Sequence, residues 1–249
     1  MPATTIDGVI DQLEDIIATC IKTESRLGYF AALYKRMTLA VKAGIARGAF
    51  QDAARIEALD VMFANRYLAT REQYFAGESP GVSWLLAYDA AGSDSHIVLQ
   101  QLLAAINPHI MIDLGVAAAR TCPGDQLAGL ATDFATINNV IFSLMSVVDA
   151  ELDALSPETA VIDRFVGKFK DKAIFDAMEK GRATAWDFAQ SLAALPLDQQ
   201  ASRIGARDLE ARYLGDIILA GNPLLSLIRH KESQDVAANI RQLNAPAPS

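Results

Sequence analysis

"LLAAINPHIMIDLGVAAA" (residues 102–119) is the most apolar part of the chain, yet it holds His109 and, four residues on, Asp113. The uncharged run around it, 95–112, also contains two Gln, an Asn-Pro and His96. That composition suits a buried core segment far better than a membrane span. Proline disfavours α geometry in the residue before it and fits the first turn of a helix, and Asn is a strong N-cap. Asn107-Pro108 therefore predicts a fresh helix start, or a kink, with His109 in its first turn. His109 and Asp113 stand at i and i+4 and share one face, which Val116 and Arg120 extend. A lone buried carboxylate is costly, so Asp113 needs partners or the wall of a wet cavity, and His109 is the local candidate. Three readings stay open for the pair. It is a satisfied core contact, an acid–base device in which Asp113 orients and charges His109, or two ligands to Zn, Fe or Mn.

Helical periodicity dominates on both sides of this stretch. Ile6, Val9, Ile10, Leu13, Ile16, Ile17, Cys20 and Ile21 recur at helical spacing, as do Tyr29, Phe30, Leu33, Met37, Val41 and Ile45 before Gly48. Asp52 caps a third helix that runs to about Gly77. Shorter helices are predicted over 81–91 and 94–106, a loop at 121–126, and a long helix over 126–154. Further helices are predicted near 158–180, 182–195, 198–220 and 223–243. Along 126–154 Leu130, Phe134, Ile137, Ile141, Leu144, Val148 and Leu152 form one apolar stripe. The other side carries Thr132, Thr136, Asn139, Ser143 and Ser146, and nothing ionises from 134 to 148. A face of that kind meets other protein or lines a cavity. No internal repeat, linker or shift of composition divides the chain. The expectation is an all-α, single-domain bundle of about ten helices over 1–244, with two charge-free central helices and a frayed tail at 245–249.

The totals exclude several functions. The chain has 249 residues, 51% of them hydrophobic but only 7% aromatic, and a net charge of -8. Its mean hydropathy is +0.18. An acidic chain repels phosphate backbones, and "GKFKDKAIF" (167–175), with Asp171 among its three lysines, is a solvated helix face rather than a basic patch, so no nucleic-acid partner is expected. Cys20 and Cys122 belong to no CxxC and read as unpaired structural thiols of a reducing compartment. The N-terminus has neither a basic start nor a cleavable apolar run. The chain is expected to be cytoplasmic and without a membrane span, and its apolar content is compatible with a homodimer. No phosphate-loop, GxGxxG or GxSxG pattern occurs.

Four stretches carry a family resemblance: "LDVMFANRYLATREQYFAG" (59–77), Trp84, "LQQLLAAINPHIMIDLGVAAA" (99–119) and "DFATINNV" (133–140). They resemble a family of bacterial and fungal proteins classed as a domain of unknown function, whose signature is Asn-Ala-His-Ile followed by Asp-Leu. The likeness continues through 183–196 and 204–219 and so covers most of the chain. It implies an all-helical single domain and no particular activity, and it marks Asn107, His109, Asp113, Asp133 and Asn138. Pro108 stands where the family has Ala, and Gln101 stands where it has a histidine. If that histidine is a metal ligand in relatives, its loss weakens the metal reading here.

Asp89, at the end of an aromatic helix near Trp84 and Tyr88, is a further carboxylate candidate, although a surface cap explains it as well. Asp133 borders the charge-free run. Asn138 lies five residues on, on a different face, and Asn139 lies on the polar face. The expectation is a small-molecule enzyme for a largely apolar substrate, an isomerase, cyclase, lyase or hydrolase in type, with secondary metabolism as one setting. His109 and Asp113 are its catalytic pair. Asn107, Asp133, Asn138, Asn139, Asp89 and Trp84 are its substrate-binding candidates, and no cofactor is expected. The alternatives are a metal-dependent hydrolase or oxygenase with His109 and Asp113 as ligands, and a non-catalytic binder of an apolar ligand.

Overall fold

The computed structural model describes residues 1–137, 180–221 and 223–245. These are largely helical and contain no strand. Helix α1 spans Ile6–Thr23, α2 Gly28–Ala46, α3 Ala53–Phe75, α4 Val82–Ala91 and α5 Val98–Pro108. A π-helical turn, His109–Leu114, joins α5 to α6, Gly115–Thr121, and a 3₁₀ turn follows at Gly124–Leu130. We label the helical residues 131–137 and 180–193 α7 and α8. Then come α9 (Leu197–Leu219), α10 (Pro223–Lys231) and α11 (Val236–Leu243).

Local chemistry sets the ends. Thr5 caps α1 by accepting from the Gly8 N–H, Asp52 caps α3 by accepting from Arg55, and Asp235 caps α11 by accepting from Ala238. Two helices are capped from a distance. The Asp208 carboxylate of α9 accepts the Val82 and Ser83 N–H groups at 2.7 and 3.0 Å, and Glu232 accepts the Val98 N–H at 3.0 Å. Gly81, at φ 101°, lets the chain reach α4 in this way, because a Cβ there would meet Asp208 Oδ2 at 2.9 Å.

Three of the sequence expectations need correction. The helix expected over 94–106 begins at Val98, where the Gln100 side chain turns back to accept the Ile97 N–H at 3.4 Å. Asn107-Pro108 does not start a new helix, since Pro108 lies inside a continuous one. Its ring nitrogen cannot donate to the turn before it, and its ring crowds the carbonyl four residues back. The backbone relaxes by widening the next turn into the π form, not by breaking. Asn107 is no N-cap. Its side chain donates to the Ala211 carbonyl of α9 at 2.6 Å. The helix expected over 126–154 starts as the 3₁₀ turn, and most of it lies outside the described residues.

The buried apolar residues form two clusters. One gathers α1, α2, α4, α5, α11 and the middle of α3. The other gathers the start of α3, Ile112 and Leu114 of the π turn, α6, the 3₁₀ turn, α7 and α8. Phe63 packs against both. By length and composition Val98–Thr121 could cross a membrane, but 72% of its most apolar window is buried inside the protein, and it serves as the central helix of the bundle.

Candidate functional site

The π turn presents His109 and Asp113 to the seam between the two clusters. Asp113 is fully buried, and each of its oxygens is held. Arg66 Nε of α3 donates to Oδ1 at 2.7 Å, and the Trp84 indole N–H of α4 donates to Oδ2 at 3.0 Å. His109 Nδ1 stands 3.4 Å from Oδ2. Burial would raise the Asp113 carboxyl, but the Arg66 guanidinium, with His109 and Trp84, outweighs burial and holds it below the usual carboxylate range. It is therefore an anion, and an anion only accepts. Nδ1 of His109 then carries the proton, and Nε2 carries the lone pair.

Aromatic rings surround the imidazole. Phe63 lies flat against it, with centroids 3.7 Å apart at 11°. Tyr34 meets it edge-on at 4.5 Å and Phe30 at 5.3 Å, while Trp84 and Tyr67 stand at 6.0 and 6.2 Å. His109 is only 3% exposed, and of the five rings only Phe63 is not fully buried. Burial, stronger than the attraction of Asp113, pushes the imidazole below its ordinary value, so it is neutral near pH 7. Its Nε2 is buried without a hydrogen-bond partner. The result is an oriented, neutral imidazole, backed by a carboxylate, whose free nitrogen faces an apolar box. Such a group can accept a proton from a bound molecule and return it.

The structure joins Trp84 to the His109–Asp113 pair and leaves other candidates elsewhere. Asp133 is buried, but its oxygens accept from the Gln51 and Asp52 N–H groups at 2.7 and 3.0 Å and lie 3.5 Å from Arg55. It fastens α7 to the start of α3, as Asn107 fastens α5 to α9. Asp89 is exposed and takes a 3.4 Å contact from the Tyr74 hydroxyl. Asn138 and Asn139 lie outside the described residues. Cys20 and Cys122 are buried free thiols. Among the described residues no three His, Cys, Asp or Glu side chains come together.

Sequence reasoning missed Arg66, Phe30, Tyr34, Phe63, Tyr67 and one further acid. Asp60 is buried on α3, and its Oδ2 has no hydrogen-bond partner. Burial, with a small push from Glu57, raises its carboxyl to about 7. A signal was present. In 56–67 Ile56, Leu59, Phe63 and Tyr67 repeat at helical spacing, and Asp60 falls on that same apolar face.

No curated protein and no solved structure matches the chain. Residues 6–221 match the model of a family of unknown function, DUF5995, and the chain belongs to that family.

Proposed function

We propose that the protein is a small-molecule enzyme that handles a largely apolar substrate by acid–base chemistry, with His109 as the base and Asp113 as the residue that orients and charges it. The observation that carries this reading is the unpartnered Nε2 of His109 inside an aromatic box, with Asp113 and Arg66 stacked behind Nδ1. An unmatched buried lone pair costs about 1–3 kcal/mol, which a bound hydrogen-bonding or proton-donating molecule would recover. When His109 takes a proton, Asp113 stabilises the imidazolium, and Arg66 keeps Asp113 ionised. Both oxygens of Asp113 are occupied, so the pair serves a proton relay better than two ligands of a metal.

The test is a turnover screen of apolar ketones, enones, epoxides, esters and lactones, run with the wild type and His109→Gln side by side. We expect a substrate whose rate falls about 100-fold or more in the variant. Its rate in the wild type should fall below pH 6.5, because the neutral base is the active form and burial lowers its pKa. A substrate turned over equally well by His109→Gln overturns the proposal. The close enclosure of His109 favours one other reading, in which the box binds an apolar ligand without converting it. Saturable binding with no turnover of any compound in the panel would select that reading.

A further inference from the structure

Buried polar atoms in folded proteins are almost always paired, so several orphans in one place call for a ligand. The region around His109 holds three: His109 Nε2, the Tyr34 hydroxyl and Asp60 Oδ2. They come from three elements. Tyr34 on α2 meets the imidazole edge-on at 4.5 Å and the Phe63 ring at 5.8 Å. Asp60 lies one turn before Phe63 on the same face of α3. The charges of Asp60 and Asp113 both act on the Tyr34 hydroxyl, Asp60 the more strongly. Among the described residues no cation pairs with Asp60, and the charge it feels is that of Glu57, of its own sign.

The orphans are of complementary kinds. His109 Nε2 is an acceptor. The Tyr34 phenol is a donor, and a carboxyl group in an apolar setting keeps its proton and donates as well. We propose that Tyr34 and Asp60 form the acid of this site, hydrogen-bonding the oxygen of a carbonyl substrate while His109 Nε2 takes a proton from the adjacent carbon. The substrate class is then an apolar, enolisable ketone or enone. The proposal rests on the acid–base reading of His109 and extends it to what the enzyme acts on.

The step balances without a further reactant. The C–H bond breaks, its electron pair becomes the C=C bond of the enolate, and the carbonyl π pair moves onto oxygen, where hydrogen bonds from Tyr34 and Asp60 hold the developing charge. The proton resides on His109 as an imidazolium facing Asp113. It returns to the same carbon or, in an enone, to a conjugated one, which moves the double bond. The walls, Phe30, Phe63, Tyr67 and Trp84, suit a flat apolar skeleton, and Phe63 is the one of them that is only half-buried.

Binding of 2-naphthol, a flat mimic of the enol, tests this without knowledge of the substrate. Fluorescence titration should show binding to the wild type. Tyr34→Phe and Asp60→Asn should each weaken it about fivefold, the worth of one neutral hydrogen bond. Melting temperatures at or above that of the wild type verify that both variants are folded, since each removes an unmatched hydroxyl or acid. Failure of the wild type to bind 2-naphthol, or unchanged binding in both folded variants, overturns the proposal. His109→Gln separates the two levels. Loss of turnover in this variant tests the base, and loss of naphthol binding in Tyr34→Phe and Asp60→Asn tests the acid.

Discussion

Asp60 sets a pH dependence that runs against the usual one. Its folded carboxyl titrates at about 7, against 3.8 for the ordinary group. Between those values the unfolded chain has released the proton and the folded chain still holds it, so stability falls as pH rises and the penalty is complete above pH 7. At 1.36 kcal/mol per pH unit the cost is on the order of 4 kcal/mol. Asp60→Asn should therefore be more stable than the wild type at pH 8, and the gap should close towards pH 4. Urea denaturation of both proteins at pH 4, 6 and 8 measures it, and parallel curves across that range would refute it. The comparison isolates Asp60, because His109, lowered by burial, acts in both proteins alike and costs stability only below pH 6.5, while Asp113 contributes its stability above the ordinary carboxylate value and loses it in more acidic solution. At this scale the sequence disclosed the pair and not its setting. His109 and Asp113 were legible because i, i+4 spacing is a local rule. Arg66, Tyr34 and Asp60 reach them only through helix packing, and nothing in local spacing states which face of α2 or α3 meets the π turn.

Among the elements, the join of α5, the π turn and α6 shows where local rules compete. Asn-Pro has the chemistry of a helix start, and in isolation it would be one. Here Asn107 finds the Ala211 carbonyl, and the apolar residues on both sides gain more from burial than a break would return. Immediately after the π turn, Gly115 lets α6 approach α8. A Cβ at that position would meet Phe188 Cδ1 at 2.7 Å and the Ala185 carbonyl oxygen at 3.0 Å. Gly115→Ala gains about 0.5–1 kcal/mol of helix propensity and loses about 1–3 kcal/mol to overpacking. The net expectation is a loss of about 1–2 kcal/mol, read as a lower urea midpoint at unchanged slope. A variant as stable as the wild type would show that α8 can move away freely. The starts of α3 and α4 were legible because caps and glycines are local. The distant caps by Asp208 and Glu232 were not, since each bridges more than a hundred residues.

For the whole molecule, the site lies where two apolar clusters meet, and one of them is closed by the far end of the chain. Ile240 and Leu243 of α11 are almost wholly buried, Gly28 leaves room for Ile240, and Arg36 donates to the Leu243 carbonyl at 3.3 Å. This helix lies beyond residues 6–221, which match the family. Burial of each of its two large side chains contributes roughly 1.5–3 kcal/mol, a large share of a domain's net stability. A chain ending at residue 234 should lose cooperative unfolding or unfold at a much lower urea concentration, and an unchanged midpoint would show that α11 is dispensable. Helical class and a buried 102–119 were readable from periodicity and composition, because both are averages over many residues. That there are two clusters rather than one was not, because it depends on the widened turn. An α-helix keeps its faces in phase from end to end, and one added residue in a turn shifts that phase by about 100°. After Leu114 the chain looks outward along a new bearing, so α5 addresses one cluster and α6 the other. A single helix apolar on nearly every side is thus what a shaft needs when it has two interiors to serve.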